Sequence, residues 1–366
     1  MLDLKWIREN PDLARKGLLA KASRFDLDEL LQLDSQRRSL LKEGEDLKAQ
    51  RNSANDEIAT FKKSGQNQAA EARITSLKTL SQKTKEIDCK VGDLSLKIDI
   101  ILYNIPNITH ESVPLAEGTS GNRVIRSWGE PRNLAKPKDH LEVGKEWLSM
   151  NWGSKITGAG FTVYKGFGAK LERALINFMI DLHATQHGYT EVWPPALVNR
   201  ASMTGTGQLP KFEDDMYRLK DEDYFLVPTA EVPVTNLLRD ETLDEKDLPI
   251  RFVAYSPCFR REACSYGKDT KGLSRVHQFD KVEMVKFVKP ENSLNELEDL
   301  VKNAEEVLQA LELPYRVLLL GSGDTSFSAA KCYDLEVWAP ASQKWFEVSS
   351  CSTFGDFQAR RMNIRF

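Results

Sequence analysis

The sequence predicts an α+β protein, in which an N-terminal antiparallel coiled-coil hairpin precedes an antiparallel sheet with flanking helices. Between residues 26 and 104, glycine and proline are nearly absent and apolar residues recur at alternating spacings of three and four. This period is the seam of a coiled coil. After residue 139, helical and strand patterns alternate, and several strand patterns follow one another without an intervening helix. Such runs of strands favour an antiparallel sheet over a doubly wound one.

Composition is that of a soluble globular protein, with 41% hydrophobic and 29% charged residues among 366. No apolar run approaches the roughly 18 residues of a membrane span, and residues 1–5 lack a signal-peptide pattern. The five cysteines are scattered without a C-x-x-C pair, so neither a disulfide framework nor a zinc cage is expected. We therefore predict a cytoplasmic protein with no membrane partner. A net charge of −3 means that any nucleic-acid contact depends on local basic clusters.

The first predicted element is a helical hairpin over about residues 27–103. Its two apolar ladders are Leu33, Leu40, Leu47, Ala54 and Phe61, then Leu77, Leu80, Thr84, Ile87, Val91, Leu94, Ile98 and Ile101. The polar turn at Ser64 and Gly65 makes the arms antiparallel, and at 1.5 Å per residue each arm reaches about 50 Å. Such a hairpin is either a dimerisation or spacer coil, or an arm whose basic residues meet the phosphates of a large substrate.

The chain divides after the hairpin, which ends at Pro106. We predict a domain over residues 1–110, a linker containing glycine and proline over 111–138, and a larger domain over 139–366. In the larger domain, helices are predicted near 168–179 and 296–311. Strands are predicted near 189–193, 223–227, 250–255, 279–285, 316–320, 333–338 and 344–346, and residues 363–366 resemble the start of another.

The densest chemistry lies between residues 259 and 283. The charged residues are Arg260, Arg261 and Glu262 at the end of one strand, Lys268 and Lys271 in a glycine-rich loop, and Arg275 on the returning strand. Guanidinium groups held in this way suit phosphate or carboxylate recognition, and Glu283 would add a carboxylate to the same hollow. The alternative is a set of surface ion pairs. Neither a P-loop nor a G-x-G-x-x-G motif is present, so a nucleotide site would be of another kind.

Other polar groups are open to a chemical and a structural interpretation. Residues 229–231 either cap a helix or line a site. His277 is either a general base or a structural residue. Cys258 and Cys264 have no histidine or second thiol at useful spacing, as a nucleophile or metal ligand would need. The polar run 347–361 is either a strand edge or one wall of a ligand site, with Glu347 as a ligand of a hard cation.

In combination these residues resemble the seryl-tRNA synthetases of the bacterial kind, which are class II aminoacyl-tRNA synthetases. The resemblance spans the chain from residue 1 to 361 and is carried by the motifs GTGQLPKF at 205–212, TAE at 229–231, FRRE at 259–262, HQFDKVE at 277–283 and EVSS at 347–350. It implies the class II antiparallel catalytic sheet. It also implies ATP-dependent activation of L-serine through seryl-adenylate, with Mg²⁺, and transfer to the 3′ end of serine tRNA and of selenocysteine tRNA.

The resemblance further implies partners and residue roles. The hairpin would hold the long variable arm of serine tRNA, and Pro195 would lie in a homodimer interface formed by motif 1. The implied serine site is Thr229, Ala230, Glu231, Arg260 and Glu283. The implied ATP site is Arg260, Arg261, Glu262, Val276, Phe279, Glu347, Val348, Ser349 and Ser350. Arg260 and Glu262 are the implied catalytic residues, and Glu347 and Ser350 the implied metal ligands.

Two departures from the family pattern matter. Cys264 and Lys271 stand where the motif 2 loop of the family has glycine and arginine, and lysine lacks the bidentate fork of arginine. The family pattern also continues into a motif 3 that this sequence does not contain. A non-catalytic tRNA-binding protein with the synthetase fold is therefore the alternative to an active enzyme.

Overall fold

The computed structural model describes residues 1–23, 25–262 and 272–366. Contacts divide the chain into two compact units. One unit comprises Leu4–Arg15 and Arg24–Ile105, and the other comprises Met1–Asp3, Lys16–Ser23 and Pro106–Phe366. The segment 111–138, which we predicted as a linker, lies within the second unit.

The first unit is built around the hairpin. The chain begins with α1 (Leu4–Glu9), α2 (Pro11–Ala20), α3 (Leu27–Lys63) and α4 (Asn67–Asn104). The Asp26 side chain caps α3 by accepting a hydrogen bond from the Asp28 N–H at 2.8 Å. Gly65 adopts a φ of +73° in the turn between the long helices, a conformation that favours glycine. Every residue of the two predicted ladders is buried or half-buried, so the coiled-coil seam is confirmed.

The second unit contains eighteen α-helices and β-strands in the part of the chain that the structure describes, besides short 3-10 turns. They are β1 (Arg123–Trp128), α5 (His140–Gly144), β2 (Leu148–Ser149), α6 (Met150–Ile156), β3 (Val163–Tyr164), α7 (Phe167–Thr185), β4 (Thr190–Glu191), β5 (Leu197–Asn199), α8 (Arg200–Thr206), β6 (Tyr224–Leu226), α9 (Glu231–Thr235), β7 (Ile250–Phe259), β8 (Gln278–Phe287), α10 (Ser293–Ala310), β9 (Tyr315–Leu319), β10 (Lys331–Ala339), β11 (Lys344–Thr353) and α11 (Phe357–Met362). No helix among the described residues of the chain has both the length and the apolarity needed to cross a membrane.

Two larger sheets dominate this unit and confirm the α+β prediction. One has the order β1-β9-β10-β11 and is antiparallel throughout, and the other has the order β4-β7-β8. Only the short β4 runs parallel to its neighbour β7 within these two sheets, as far as they are described. The predicted linker contributes β1, which pairs with β9.

The strand predicted at residues 363–366 is wrong. Asn363 has a φ of +54° and ends α11 in the left-handed region. The following residues make a single isolated bridge between Arg365 and Thr242 instead of a strand. A polar residue that tolerates the left-handed conformation therefore ends the helix, and the β-bridge follows this break.

Helix α10 supports both larger sheets. Its apolar stripe of Leu297, Val301, Ala304 and Leu308 follows the helical repeat and packs on a cluster that includes Leu335 of β10 and Cys351 of β11. Met284 of β8 packs against the same cluster. Because the cluster has members from both sheets, it fixes β8 and β11 near each other, and these two strands carry most of the candidate site.

Candidate active site

One face of β8 presents three large functional side chains in a row. Phe279, Lys281 and Glu283 share this face because successive strand residues point to opposite sides. Their partners in the antiparallel register on β7 are Cys258, Ser256 and Ala254, and each is at most 1% exposed. All three partners are small, so β7 adds little bulk beside the long side chains of β8.

Lys281 connects a hydroxyl and a carboxylate of the predicted serine pocket. Its Nζ lies 2.6 Å from Thr229 Oγ1 and 2.6 Å from Glu283 Oε2. The Thr229 hydroxyl donates to Glu283 Oε2 at 3.0 Å and accepts from the Glu231 N–H at 3.2 Å. Burial opposes the charged form of Lys281, but the Glu283 carboxylate outweighs it and raises the pKa of Lys281. We refer to Thr229, Lys281 and Glu283 as the Lys281 triad.

The contact from Thr229 to the Glu231 N–H shows that the two interpretations of residues 229–231 are compatible. The threonine hydroxyl satisfies the backbone at the start of α9 while it also takes part in the triad. Ala230 is fully buried and packs with Val234 and Ala254. This anchoring fixes the backbone from which Thr229 and Glu231 project.

Glu231 is the second carboxylate of the pocket. Gln358 of α11 donates to Glu231 Oε1 at 2.6 Å and to the Thr206 carbonyl at 3.0 Å. Burial raises the pKa of Glu231 to about 7, and the charge of Glu283 adds to the effect. Two carboxylates therefore share one crowded hollow, and each has its own hydrogen-bond donor.

Arg260 lies next to this hollow at the end of β7. Its guanidinium carbon is 5.0 Å from the centre of the Phe279 ring, and its Nε donates to the Pro228 carbonyl at 3.3 Å. The backbone N–H of Arg260 donates to the His277 carbonyl at 3.0 Å. Backbone and side chain are thus both held, which suits a guanidinium that must meet an anion in a fixed orientation.

The neighbouring residues of the FRRE motif are also tied to the protein. Arg261 donates from Nη1 to the Asp214 carbonyl at 2.9 Å. Glu262 has a φ of +49°, and its carboxylate accepts a hydrogen bond from the Arg275 guanidinium. Val276 is half-buried two residues before β8. The loop residues Cys264, Lys268 and Lys271, to which we assigned roles or departures, lie outside the described residues.

His277 and Cys258 have structural surroundings. His277 Nδ1 lies 3.0 Å from the Arg260 carbonyl, to which it donates, and its ring packs on Phe161. This contact positions Arg260 and favours the structural interpretation. Cys258 is fully buried, and burial raises the pKa of its thiol to about 11. A neutral buried thiol is a poor nucleophile, in agreement with its isolation in the sequence.

A second acidic wall is formed by β10 and β11. Glu347 faces Glu336 across the strands, and Ser350 faces Asp334, with an irregularity in register between the two pairs. Desolvation by the surrounding wall, followed by the charge of Asp334, raises the pKa of Glu347 to about 7, although the residue keeps contact with solvent. Ser350 Oγ lies 3.2 Å from Cys332 Sγ. Val348 is 51% exposed and Ser349 is half-buried.

The donor chemistry of this wall fits a hard cation. Glu336 is held by Arg316 Nε at 2.5 Å, whereas Glu347 has no hydrogen bond or ion pair within the described parts of the chain. A carboxylate whose charge is disfavoured by its neighbours gains from a nearby cation. No group of three possible protein ligands exists among the described residues. Mg²⁺ is commonly held by only one or two carboxylates, with substrate phosphates and water completing its shell.

The charge of Arg260 reaches both acidic groups. Its guanidinium lowers the pKa of Glu231 and also that of Glu347, against the larger raising effect of burial. The predicted serine residues and the predicted metal residues are therefore near one common cation. Anionic side chains and a fixed guanidinium therefore lie within one region of the second unit.

Two residues with clear contacts in the site were not among the predicted ones. Lys281 alternates with Phe279 and Glu283, so the two-residue period of β8 was a usable signal. Gln358 had no comparable signal, because it is 127 positions from its partner Glu231 and lies on a helix. Only the folded structure brings that amide to the carboxylate.

Comparison with known proteins gives matches over the whole chain. Residues 1–109 match the family model described as seryl-tRNA synthetase N-terminal domain, and residues 211–366 match that of the tRNA synthetase class II core domain (G, H, P, S and T). A serine–tRNA ligase of Carboxydothermus hydrogenoformans is 54% identical, and the match covers 100% of this chain and 87% of the relative.

Solved structures give the same result. The seryl-tRNA synthetase of Pyrococcus horikoshii complexed with ATP has a TM-score of 0.93 at 38% identity, over 100% of this chain and 87% of that chain. The cytoplasmic serine–tRNA ligase of Naegleria fowleri in complex with AMP has a TM-score of 0.87 at 28% identity, over 100% and 86% of the respective chains.

Proposed function

Because the chain belongs to the seryl-tRNA synthetase family of enzymes, we propose that it activates L-serine with ATP and transfers the seryl group to the 3′ end of serine tRNA. The observation that carries the proposal is the position of Arg260, whose guanidinium is held by the Phe279 ring and the Pro228 carbonyl and whose charge acts on both Glu231 and Glu347. The proposal extends to selenocysteine tRNA as a second acceptor, as the family resemblance implies.

The proposed reaction has two steps. The serine carboxylate attacks the α-phosphorus of ATP in line, the bond from that phosphorus to the bridging oxygen breaks, and pyrophosphate leaves. A ribose hydroxyl at the tRNA 3′ end then attacks the carbonyl carbon of seryl-adenylate, loses its proton, and AMP leaves. Neither step needs an enzyme nucleophile, so catalysis rests on positioning and on charge stabilisation.

Arg260 is proposed to contact both the serine carboxylate and the α-phosphate. Its guanidinium is held over Phe279, the proposed stacking surface for adenine. Glu262 and Val276 are proposed to recognise the adenine edge, with Arg261, Val348 and Ser349 completing the ATP site. This assignment orders the site along β8, from the nucleotide at Phe279 to serine at Glu283.

The serine site is proposed to consist of Thr229, Ala230, Glu231 and Glu283, together with Arg260. Two carboxylates complement the ammonium and hydroxyl groups of serine. Alanine would be rejected because it leaves a buried carboxylate without its hydroxyl partner, a loss that discriminates strongly. Threonine would be excluded by the size of its extra methyl group.

Glu347 and Ser350 are the proposed ligands of Mg²⁺. When bound, Mg²⁺ supplies positive charge that offsets the negative charge of the ATP phosphates. The protein's own contribution is the Glu347 carboxylate, whose charged form is disfavoured first by burial and then by the charges of Asp334 and Glu336. A cation at this position would lower the pKa of Glu347 and keep it ionised at neutral pH.

The partners are proposed on the same basis. The hairpin α3–α4 is proposed to contact the long variable arm of serine tRNA. The Pro195 region is proposed to form a homodimer interface, and exposed apolar residues flank it, with Trp193 73% and Leu197 44% exposed. The cytoplasmic location also remains a prediction; the described cysteines are all unpaired thiols, as such a location requires.

The experiment for the proposed function is serine-dependent exchange of labelled pyrophosphate into ATP. We expect exchange with serine and not with alanine or threonine. Replacing Arg260→Gln is expected to lower kcat by at least about 100-fold, because it removes a preorganised charge from the reacting phosphate. Lys286→Met is the control, since Lys286 lies on the opposite face of β8 and pairs with Glu296 at 2.9 Å.

The alternative is a tRNA-binding protein without catalysis. It would keep the proposed contact of the hairpin with serine tRNA and lack the activation step. Exchange at background level together with normal binding of serine tRNA would support this alternative. Serine-dependent exchange well above background would exclude it.

A further inference from the structure

In the Lys281 triad, every hydrogen-bonding position of the Thr229 hydroxyl is used. A hydroxyl has one proton to donate and two lone pairs with which to accept. Thr229 donates to Glu283 and accepts from Lys281 Nζ and from the Glu231 N–H. All three positions are filled, so another ammonium group can reach Thr229 only by replacing Lys281.

Lys281 and the substrate carry the same recognition group. The side chain ends in an ammonium with one positive charge and three donors, and the α-ammonium of an amino acid has the same charge and the same donors. At the triad this group lies 2.6 Å from Thr229 Oγ1 and 2.6 Å from Glu283 Oε2. Exchange of one ammonium for the other leaves the charge at these two acceptors unchanged.

The two carboxylates explain why the empty pocket needs an internal cation. Glu231 and Glu283 repel each other closely enough for Glu283 to raise the pKa of Glu231. Without a cation, both carboxylates could not remain ionised in this crowded hollow at moderate cost. Lys281 and Arg260 both lower the pKa of Glu231, and Lys281 also contacts the Glu283 carboxylate directly.

The Lys281 side chain is also partly accessible to solvent. It is 32% exposed, in contrast to the 7% exposure of Lys286 on the same strand. The ammonium of a lysine is carried by four methylene groups. Rotation about their bonds can change its position at little steric cost where the side chain is accessible to solvent. The site thus combines a fixed pair of acceptors with a movable donor.

We propose that Lys281 is an internal substitute for the substrate's ammonium group, which occupies the Thr229–Glu283 site in the empty pocket and is displaced when serine binds. This inference rests on the proposed function. It makes Lys281 a specificity residue, because a ligand without an ammonium group, such as a 2-hydroxy acid, cannot take over its contacts. The ammonium of serine must compete with Lys281, and this competition weakens the apparent affinity for serine.

The first test is calorimetric titration of serine into the full chain and into Lys281→Met. Because the competing group is removed, we expect the Kd for serine to fall by about three- to tenfold in the variant, while the free variant melts at a lower temperature. In the matched control Lys286→Met, which loses a lysine from the same strand, the Kd is expected to stay the same. A Kd that rises tenfold in Lys281→Met would show that the lysine supports serine binding, and would overturn the inference.

The second test is made on the unchanged chain, and a variant at Lys281 serves only to assign its resonance. In the ¹⁵N-labelled chain, the Nζ resonance of Lys281, assigned by its loss in Lys281→Arg, is expected to shift or exchange-broaden on addition of serine. D-glycerate, which replaces the ammonium by a hydroxyl, should leave it in place. If the Nζ resonance does not move when the chain is saturated with serine, the inference is overturned and the proposed function is not. Absence of any serine binding to the unchanged chain would overturn it together with the proposed function.

Discussion

At the scale of single residues, Asp34 shows how a buried charge is retained in the hairpin unit. Its side chain is 1% exposed, and its carboxylate accepts from Arg8 at 3.0 Å, Arg37 at 3.1 Å and Arg38 at 3.0 Å. Burial alone would raise its pKa, but the hydrogen bonds from Arg8 and Arg37 outweigh burial and lower the pKa of Asp34. Three guanidinium partners from two helices thus converge on one anion at the base of α3.

Replacing Asp34→Asn is expected to destabilise the hairpin unit by about 3 kcal/mol, because it leaves three crowded guanidinium groups without their anion. Thermal unfolding followed by circular dichroism measures the loss. The matched control is Asp88→Asn, which breaks an ion pair with Lys48 whose side chains are about half exposed. That change should cost less than about 1 kcal/mol. Equal losses in the two variants would contradict the prediction.

The same carboxylate gives a pH dependence with a definite sign. The pKa of Asp34 is lower in the folded state than in the unfolded chain, where it is about 3.9. Its stabilising contribution is therefore complete above that value and is lost as pH falls through the lower folded pKa. In Asp34→Asn, the part of the decrease in folding stability at low pH that comes from this residue should disappear.

Single residues of the site were predictable where their chemistry is local to a motif. The family resemblance assigned Thr229, Glu231 and Glu283 to one pocket, and hydrogen bonds connect Thr229 with Glu283 and with the Glu231 backbone. The role of each as a substrate contact remains a proposal. The role of Gln358 could not be predicted, because it depends on the carboxylate that the fold places next to the buried amide.

At the scale of elements, the hairpin was predictable because its signal is periodic and local. Burial at i, i+3 and i+7 positions follows directly from the apolar ladder. The two helices also approach each other closely at Gly44, where a Cβ would lie 3.3 Å from Ile87 Cγ2. The edge strand β1 was missed because it pairs with β9, nearly 200 positions later, and is only six residues long.

The structure also narrows the basic residues of the hairpin that are available to a polyanion. Arg37 and Arg38 are engaged by Asp34, and Lys48 pairs with Asp88 at 2.9 Å. Lys62 and Lys63 at the tip are exposed, and no acidic partner is seen for them among the described residues. We therefore assign the phosphate contacts of the hairpin first to this tip pair.

The double change Lys62→Ala and Lys63→Ala is expected to raise the KM for serine tRNA by about tenfold and to reduce the salt dependence of binding by one to two phosphate contacts. Aminoacylation kinetics at several salt concentrations measure both effects. Pyrophosphate exchange, which needs no tRNA, separates this loss from damage to the catalytic unit. Lys48→Ala is the matched control, because its ammonium is already paired, and an equal effect there would contradict the assignment.

At the scale of the whole molecule, net charge and exposed apolar surface lead to different partners. The net charge of −3 gives no general attraction to tRNA, so the proposed binding depends on local groups, for which we propose the hairpin tip. Exposed large apolar side chains lie near Pro195, where Trp193 is 73%, Leu197 44% and Tyr224 45% exposed. Leu197 and Tyr224 belong to the paired strands β5 and β6, so they are held on a fixed surface. Exposed apolar side chains on a fixed surface indicate a binding site for a protein partner, because their contact with water is unfavourable.

The homodimer proposed for the Pro195 region can therefore be tested through Trp193. The full chain is expected to have twice its chain mass by light scattering at micromolar concentration. A large aromatic side chain at the centre of an interface commonly contributes 2 kcal/mol or more, so Trp193→Glu should weaken dimerisation by at least about 30-fold. The matched control is Leu115→Glu, which places the same charge at an apolar residue that is 61% exposed in the segment 111–138. A monomeric unchanged chain, or equal dimerisation constants for the two variants, would contradict the proposal.

If the dimer dissociates and pyrophosphate exchange is lost with it, the association also supports the geometry of the active site, because Trp193 itself contacts Tyr255 of β7 with ring centres 5.4 Å apart.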